Sequence, residues 1–409
     1  MKLITKLCLA LCWVLAGSVA VADEHEAQDI AEMVSKGKVS VDFRYRYEGV
    51  DQDGFDDDAE ASTLRTRLTL QSAPFHGVDA KIEMDDVREV GPDDYNSTVN
   101  GKTEYPVVAD PEGTDLNQFW LRYRSSFDST LGRQRILHGN QRFVGGVAFR
   151  QNEQTFDALR FDLMQWEDLR LDFAYVDQVN RIFGPDDGAN PAELDGDNVF
   201  IRADYQLNEQ HKVAGFGYFL DFDEQSDFAP GKTVNNSSDT WGLEYQGKFD
   251  SIQVDLAWAT QSDAGDSTLD YDADYSKFEI AFKAEQFRVN GGIEILEGDN
   301  GVGFATPLAT LHKFQGWADV FLTTPGDGIE DVYFGVTGKA GEFSLGAFYH
   351  DFQAEASSDD YGSEIDLMVA YPLDKNSTLK AEFASFDSDD SDLYADVDKF
   401  WLTFQVKLQ

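Results

Sequence analysis

The chain has 409 residues and a formal net charge of −43, from 33 lysines and arginines against 76 aspartates and glutamates. So acidic a chain repels the phosphates of nucleic acid, which argues against that class of partner. Its two cysteines, Cys8 and Cys12, stand in the first 22 residues, and no later run approaches the roughly 18 consecutive apolar residues of a membrane-crossing helix.

Residues 1–22 read as an export signal peptide: Lys2 and Lys6 give the charged start, 7–16 the short apolar run, and Ala20-Val21-Ala22 the small-residue cleavage site. Its removal takes both cysteines, leaving neither a disulfide nor a thiolate metal site. Residues 23–38 are expected to form a short periplasmic segment, with a helical turn carrying Ile30, Met33 and Val34 on one side. Residues 39–409 read as one β domain.

From residue 39 onward, apolar and polar residues alternate over strand-length segments. Val199, Ile201, Ala203 and Tyr205, for example, oppose Phe200, Arg202, Asp204 and Gln206. Successive strand residues point to opposite faces, and 9–11 residues cross a bilayer as a tilted strand. The expected strands are 39–50, 62–73, 78–90, 115–127, 130–139, 154–165, 168–180, 198–208, 211–222, 240–249, 251–261, 275–285, 287–297, 331–340, 342–353, 364–373, 377–386 and 398–408. Short connections near 74–77, 128–130, 166–168, 208–211, 249–251 and 285–287 alternate with long acidic ones at 51–61, 91–114, 140–153, 181–197, 223–239 and 262–274. Short periplasmic turns and long external loops are the pattern of a transmembrane antiparallel barrel. Drawing 311–322 as a further strand breaks that alternation. Treating 298–330 as one external loop restores it and leaves 18 strands, an even number. That loop is expected to hold a helical turn over 313–321 and to fold inward over a pore. The fold class is all-β, a single barrel.

Arginines recur at i and i+2 inside strand-like segments, as Arg44/Arg46, Arg65/Arg67, Arg122/Arg124 and Arg133/Arg135. Each pair puts two charges on one face, against Phe43, Tyr45 and Tyr47 or Leu64, Thr66, Leu68 and Leu70 on the other. Fifteen of the 16 arginines precede residue 203, so the guanidinium charge is confined to about half of the wall. Lumenal carboxylates such as Asp42, Glu48, Glu83, Asp85 and Asp172 would pair with some of them. Alternatively, a ladder of planar donors passes an anion along the wall, because the arginine fork binds carboxylates bidentately and rings of arginine select anions. Partial pairing and conduction are compatible. Arg142 and Arg150, in the dense polar run 132–152, join the candidate lining.

The acidic loops, such as 51–58, 186–197 and 263–274, read first as a solvated surface. The functional alternative is Ca²⁺ or Mg²⁺ bridging to lipopolysaccharide, although Asp51-x-Asp53-Gly54 lacks the remaining spacing of an EF-hand. None of the six histidines lies in a G-x-S-x-G elbow or an H-E-x-x-H helix, so no catalytic residue and no cofactor is expected.

Gly132-Arg133-Gln134, Arg150-Gln151-Asn152 and Thr155-Phe156-Asp157-Ala158 resemble the alginate-export porins of bacterial outer membranes. So does His312-Lys313-Phe314-Gln315-Gly316-Trp317-Ala318-Asp319, followed by Thr324-Pro325 and Gly328. The resemblance covers nearly the whole chain after the signal. It implies an 18-stranded outer-membrane barrel whose electropositive constriction passes an acidic polysaccharide or its fragments. Within the long loop, His312, Lys313, Gln315 and Trp317 are the candidate sugar contacts, with Trp317 able to stack on a sugar face. A monomer is expected over a trimer, surrounded by lipid and lipopolysaccharide. A general anion porin and a non-conducting surface or adhesion barrel are the alternatives.

Overall fold

The computed structural model describes residues 26–409; the expected signal peptide lies outside the described residues. Strands β1 (Lys38–Gln52), β2 (Ala59–Gln71), β3 (Val78–Asp94), β4 (Gly113–Arg124), β5 (Phe127–Gln134), β6 (Thr155–Trp166) and β7 (Leu169–Asn180) run in sequence order around the wall. They continue through β8 (Glu193–Asn208), β9 (His211–Leu220), β10 (Ser238–Phe249), β11 (Ile252–Asp263), β12 (Asp272–Lys283) and β13 (Phe287–Leu296). A small hairpin, β14 (Gly298–Asp299) and β15 (Val302–Gly303), stands apart within a loop. The wall resumes with β16 (Ile329–Ala340), β17 (Phe343–Gln353), β18 (Asp360–Pro372), β19 (Ser377–Ser388) and β20 (Val397–Leu408). β20 pairs antiparallel with β1, from Val41↔Leu408 to Gln52↔Val397, and closes an 18-stranded sheet on itself. Closure matters because hydrocarbon offers no partner to an unpaired backbone amide or carbonyl.

The alternation is turned inside out relative to a water-soluble barrel. Phe43, Leu68, Leu70, Ile82, Leu121 and Leu367 are exposed on the outer face, whereas Arg44, Arg46, Arg65, Glu83 and Asp85 are buried inside. Long connections at 95–112, 135–154, 181–192, 221–237 and 297–328 all leave one end of the barrel, and short ones such as 125–126, 167–168 and 209–210 leave the other. At the short-turn end, helix α1 (Ile30–Ser35) starts on Asp29, whose carboxylate accepts the Glu32 amide at 2.8 Å. It docks on the β2–β3 turn through Ala27 N to Pro74 O, 2.8 Å, and Ala73 N to Met33 O, 2.9 Å. Ile30 and Val34 remain exposed.

Two expectations need correction. β5 spans 127–134 rather than 130–139, and the β4–β5 turn sits at 125–126 rather than 128–130. Gly132 has φ +113°, and a Cβ there would stand 2.3 Å from Phe119 O. The strand kinks at this glycine and ends at Gln134, and Ile136, which lies inside the expected strand, is instead fully buried past its end. In the long loop, the helical turn is a 3-10 turn at Leu311–Lys313 rather than one over 313–321. Gln315 and Gly316 both take positive φ, 50° and 79°, which ends any helical course there.

Candidate functional site

Two external loops, 135–154 and 297–328, fold down into the barrel and meet inside it. Aromatic packing fixes the first: Phe143 lies 4.7 Å from Phe216 and 5.3 Å from Tyr275, and His138 Nδ1 reaches the Tyr218 hydroxyl at 3.1 Å. Gln154 Nε2 ties its end to the second loop through Leu308 O at 2.9 Å. The second loop carries the residues that divide the lumen.

The wall arginines hold the first loop. Arg44 donates from Nε to Gln151 Oε1 at 2.9 Å, from Nη1 to Ala148 O at 2.8 Å, and from Nη2 to Arg150 O. Arg46 donates from Nη1 to Phe149 O at 2.6 Å and lies 4.1 Å above the Phe149 ring. Among the described residues, neither has a carboxylate partner in hydrogen-bonding range. Arg65 pairs with Asp42 at 3.2 Å. Arg67 forks onto Asp85 at 2.6 and 2.5 Å and reaches Glu153 with Nη1 at 2.5 Å. Arg135 joins the same cluster through Glu83, 2.5 Å, and Glu153. Arg150 binds Glu48 at 2.9 Å and Asp319 at 3.2 Å. Arg142, from the loop itself, bridges Glu294, 3.1 Å, Thr306, 3.1 Å, and Gln315, 3.0 Å. Arg122 and Arg124 share Asp79 at 2.7 and 3.1 Å near the short-turn end. The carboxylates anticipated as partners, Asp42, Glu48, Glu83, Asp85 and Asp172, are all paired with arginine, Asp172 with Arg160.

Arg133 departs from the lumenal expectation. It pairs in register with Phe119, which is 56% exposed, and follows Leu131, which is 60% exposed, on the same side of the strand. That is the outer face, where Arg133 forks onto Asp157 at 2.8 and 3.0 Å. The kink at Gly132 does not reverse the alternation, which keeps Arg133 on the outer face with Leu131; β5 ends at Gln134, so Arg135 leaves the strand and turns inward to Glu83 and Glu153. Lumenal Arg160, Arg170 and Arg202 complete the basic wall. They bind Asp172, Asp162, and Asp204 with Glu244 respectively. The alternation of Leu159, Phe161 and Leu163 against Arg160 and Asp162 carries that signal in the sequence, without the second arginine at i+2 that marks the paired segments.

The opposite wall is acidic. Glu244, Asp255, Glu279, Glu294, Asp331, Glu364, Asp366 and Glu382 come from β10 to β19, and Glu364 and Asp366 are almost fully buried. Glu364 Oε1 accepts the Ala318 amide at 2.7 Å, seating the turn of the dividing loop. A Cβ on Gly316 would lie 2.2 Å from the Glu364 carboxylate.

The long-loop candidates lie together at this divide. His312 Nδ1 hydrogen-bonds Asp319 Oδ1 at 2.9 Å and stacks on Phe149. Gln315 donates to Glu294 while accepting from Arg142. Lys313 Nζ donates to Asn140 O at 2.9 Å. Trp317 packs 5.5 Å from Phe348. Lys313, Gln315 and Trp317 face an inner cavity of about 410 Å³. His312, Ala318 and Asp319 face an outer cavity of about 560 Å³ bounded by the external loops. The loop is therefore a partition with two differently dressed sides. Burial alone would raise Asp319, but His312, Lys399 and Arg150 outweigh it and hold this carboxyl well below the usual range. Glu153 is likewise raised by burial and brought far down by Arg67 and Arg135. Lys313 is lowered, by burial first and by Lys277 second. Among the described residues, no group of three or more His, Cys, Asp or Glu side chains is arranged to hold a metal ion.

A closed 18-stranded barrel with a lipophilic exterior, a charged lumen and inward-folded loops defines an outer-membrane channel of the porin type. Residues 36–286 match the model of the alginate export family, and the chain belongs to that family. Its place is the bacterial outer membrane. Among solved structures, it is similar to OccK3 (OpdO) of Pseudomonas aeruginosa, at 15% identity and a TM-score of 0.68 over 93% of this chain and 98% of that one. OpdK of Pseudomonas aeruginosa, solved with vanillate, matches at 13% identity and 0.71 over 92% and 99%. OccAB2 of Acinetobacter baumannii matches at 15% and 0.71 over 92% and 100%. At such identities the likeness concerns the barrel fold. No curated protein matches the sequence significantly.

Proposed function

We propose that this porin lets an acidic, uronate-type (alginate-like) polysaccharide or its oligosaccharides diffuse passively across the outer membrane. The observation that carries the reading is the segregation of arginine to one wall, β1 to β8, and to the loop beside it. Among the described residues, Arg44 and Arg46 in that wall bind neutral groups and no carboxylate, so their charge is not cancelled by a direct partner there. Most of the other arginines are paired, which favours transit: a wall of uncompensated guanidinium groups would retain a polyanion rather than release it. Membership of the alginate export family supports the same substrate class.

Passage of this kind needs positioning and charge but no bond-making group. The described lumenal and loop histidines have structural partners, as His350 with Asp331 at 2.9 Å and His211 with Tyr245 at 2.8 Å.

Permeation into liposomes tests the reading. Acidic oligosaccharides should enter faster than neutral ones of equal length. Equal entry would favour a general porin, and no entry of either would favour a surface or adhesion barrel.

A further inference from the structure

The outer cavity differs in charge from the inner one. The inner cavity is lined by Arg142, Lys277, Arg288 and Lys313 against Glu244, Asp255, Glu279, Glu294 and Asp331. Among the described residues, the outer is lined by Arg150, Arg181 and Lys399 against one carboxylate, Asp319. Two of those outer cations are engaged: Arg150 with Glu48 and Asp319, and Lys399 with Asp319 at 3.4 Å. Arg181 is different. It follows β7 at the start of the 181–192 loop, donates from Nη1 to Pro191 O at 3.3 Å, and stacks 4.6 Å over the Phe183 ring. Among the described residues it has no carboxylate partner. Burial pushes its guanidinium down to about 10, and no charged neighbour contributes to that shift, so it remains a cation at neutral pH.

A half-buried guanidinium without a carboxylate partner gains from a carboxylate that reaches it. Phe183 covers one face of the guanidinium plane, while the remaining edge donors point in the plane, where a carboxylate binds as a fork. Ile182, Leu311, Val320 and Tyr394 line the same cavity and offer apolar area to the C–H faces of a sugar. We infer that the external vestibule holds a carboxylate-capture subsite centred on Arg181, which takes a uronate carboxylate on the outer side of the partition. The inference deepens the acidic-sugar reading and rests on it for the sugar, but capture is separable from passage.

Calorimetric titration of the full-length barrel in detergent decides it, with an oligomannuronate and a neutral mannose oligosaccharide of equal length as probes. Wild type should bind the uronate and not the neutral sugar. Arg181→Gln should weaken uronate binding by about tenfold or more, the scale of one charge-assisted hydrogen-bond pair. Arg181→Lys should recover part of that loss, which a merely structural role would not predict. An unchanged β-sheet circular dichroism spectrum and unchanged thermal unfolding in all three proteins show that the barrel is intact. Wild type that does not bind the uronate, or Arg181→Gln that binds it unchanged, overturns the subsite. Arg181-dependent binding with no uronate entry into liposomes leaves the subsite standing and overturns passage instead.

Discussion

Phe149 and His312 stack face to face, 3.5 Å between ring centroids and 20° between planes, although they belong to different external loops. Arg46 lies 4.1 Å over the Phe149 ring, and Trp401 meets the two rings edge-on at 5.7 and 5.6 Å. The stack joins the basic wall to the dividing loop. An aromatic pair contributes about 0.5–1.5 kcal/mol beyond its buried area, enough to bias a loop but not to hold the barrel. Phe149→Ala is expected to raise single-channel conductance without unfolding the protein. Phe149→Ala combined with His312→Ala should add little to either single change, because both remove one contact. Fully additive conductance changes would show that the rings do not act as a unit.

Arg44 and Arg46 bind the carbonyls of residues 148–150 rather than side-chain anions. Hydrogen bonds from charged donors contribute about 1.5–3 kcal/mol each. Replacing both arginines with glutamine should leave the β-sheet signal in circular dichroism unchanged and accelerate amide hydrogen exchange around 148–151. Unchanged exchange there would mean that the loop is held by its aromatic packing alone.

Arg133 and Arg135 separate by face. Arg133→Ala, on the outer wall, should leave the reversal potential unchanged. Arg135→Ala removes a cation from Glu83 and Glu153 and should shift selectivity towards cations. An effect of Arg133→Ala equal to that of Arg135→Ala would contradict the register.

Strand positions and the number of strands were legible because the two-residue period and the loop alternation reinforce each other across the chain. The lumenal face of Arg44, Arg46, Arg65 and Arg67 followed from the same period. Arg133 was misplaced because its spacing from Arg135 looks like one strand, while the strand ends at Gln134. The partners of Arg142 and Arg150 were not legible: Glu294 and Asp319 are 152 and 169 residues away in sequence, and only the inward folding of two loops brings them together. Arg181 stood in an acidic loop and gave no pattern at all.

Gly316 has no room for a methyl group, since the Glu364 carboxylate occupies that space. Its φ of +79° also favours glycine. Gly316→Ala and Glu364→Gln should both unseat the turn bearing Trp317 and Ala318, seen as frequent current fluctuations in single-channel records. Quiet, wild-type traces from both variants would remove this contact from the control of the partition.

Acid should spare the loop clamps at first. Glu153 and Asp319 are depressed in the folded protein, so their contribution to stability is complete above the ordinary carboxylate range, about pH 4. It is lost as pH falls from there through the depressed folded values. Thermal unfolding followed by tryptophan fluorescence should therefore be level from neutral pH to about pH 5 and should decline below about pH 4. In Asp319→Asn the decline should be shallower, from a lower starting stability.

The most direct measurement is the reversal potential of the wild-type barrel in a planar bilayer under a salt gradient, with oligomannuronate then added to the external-loop side. An anion-selective current that the uronate reduces and a neutral oligosaccharide does not is the predicted result. A cation-selective current, or a barrel indifferent to the uronate, would contradict the account.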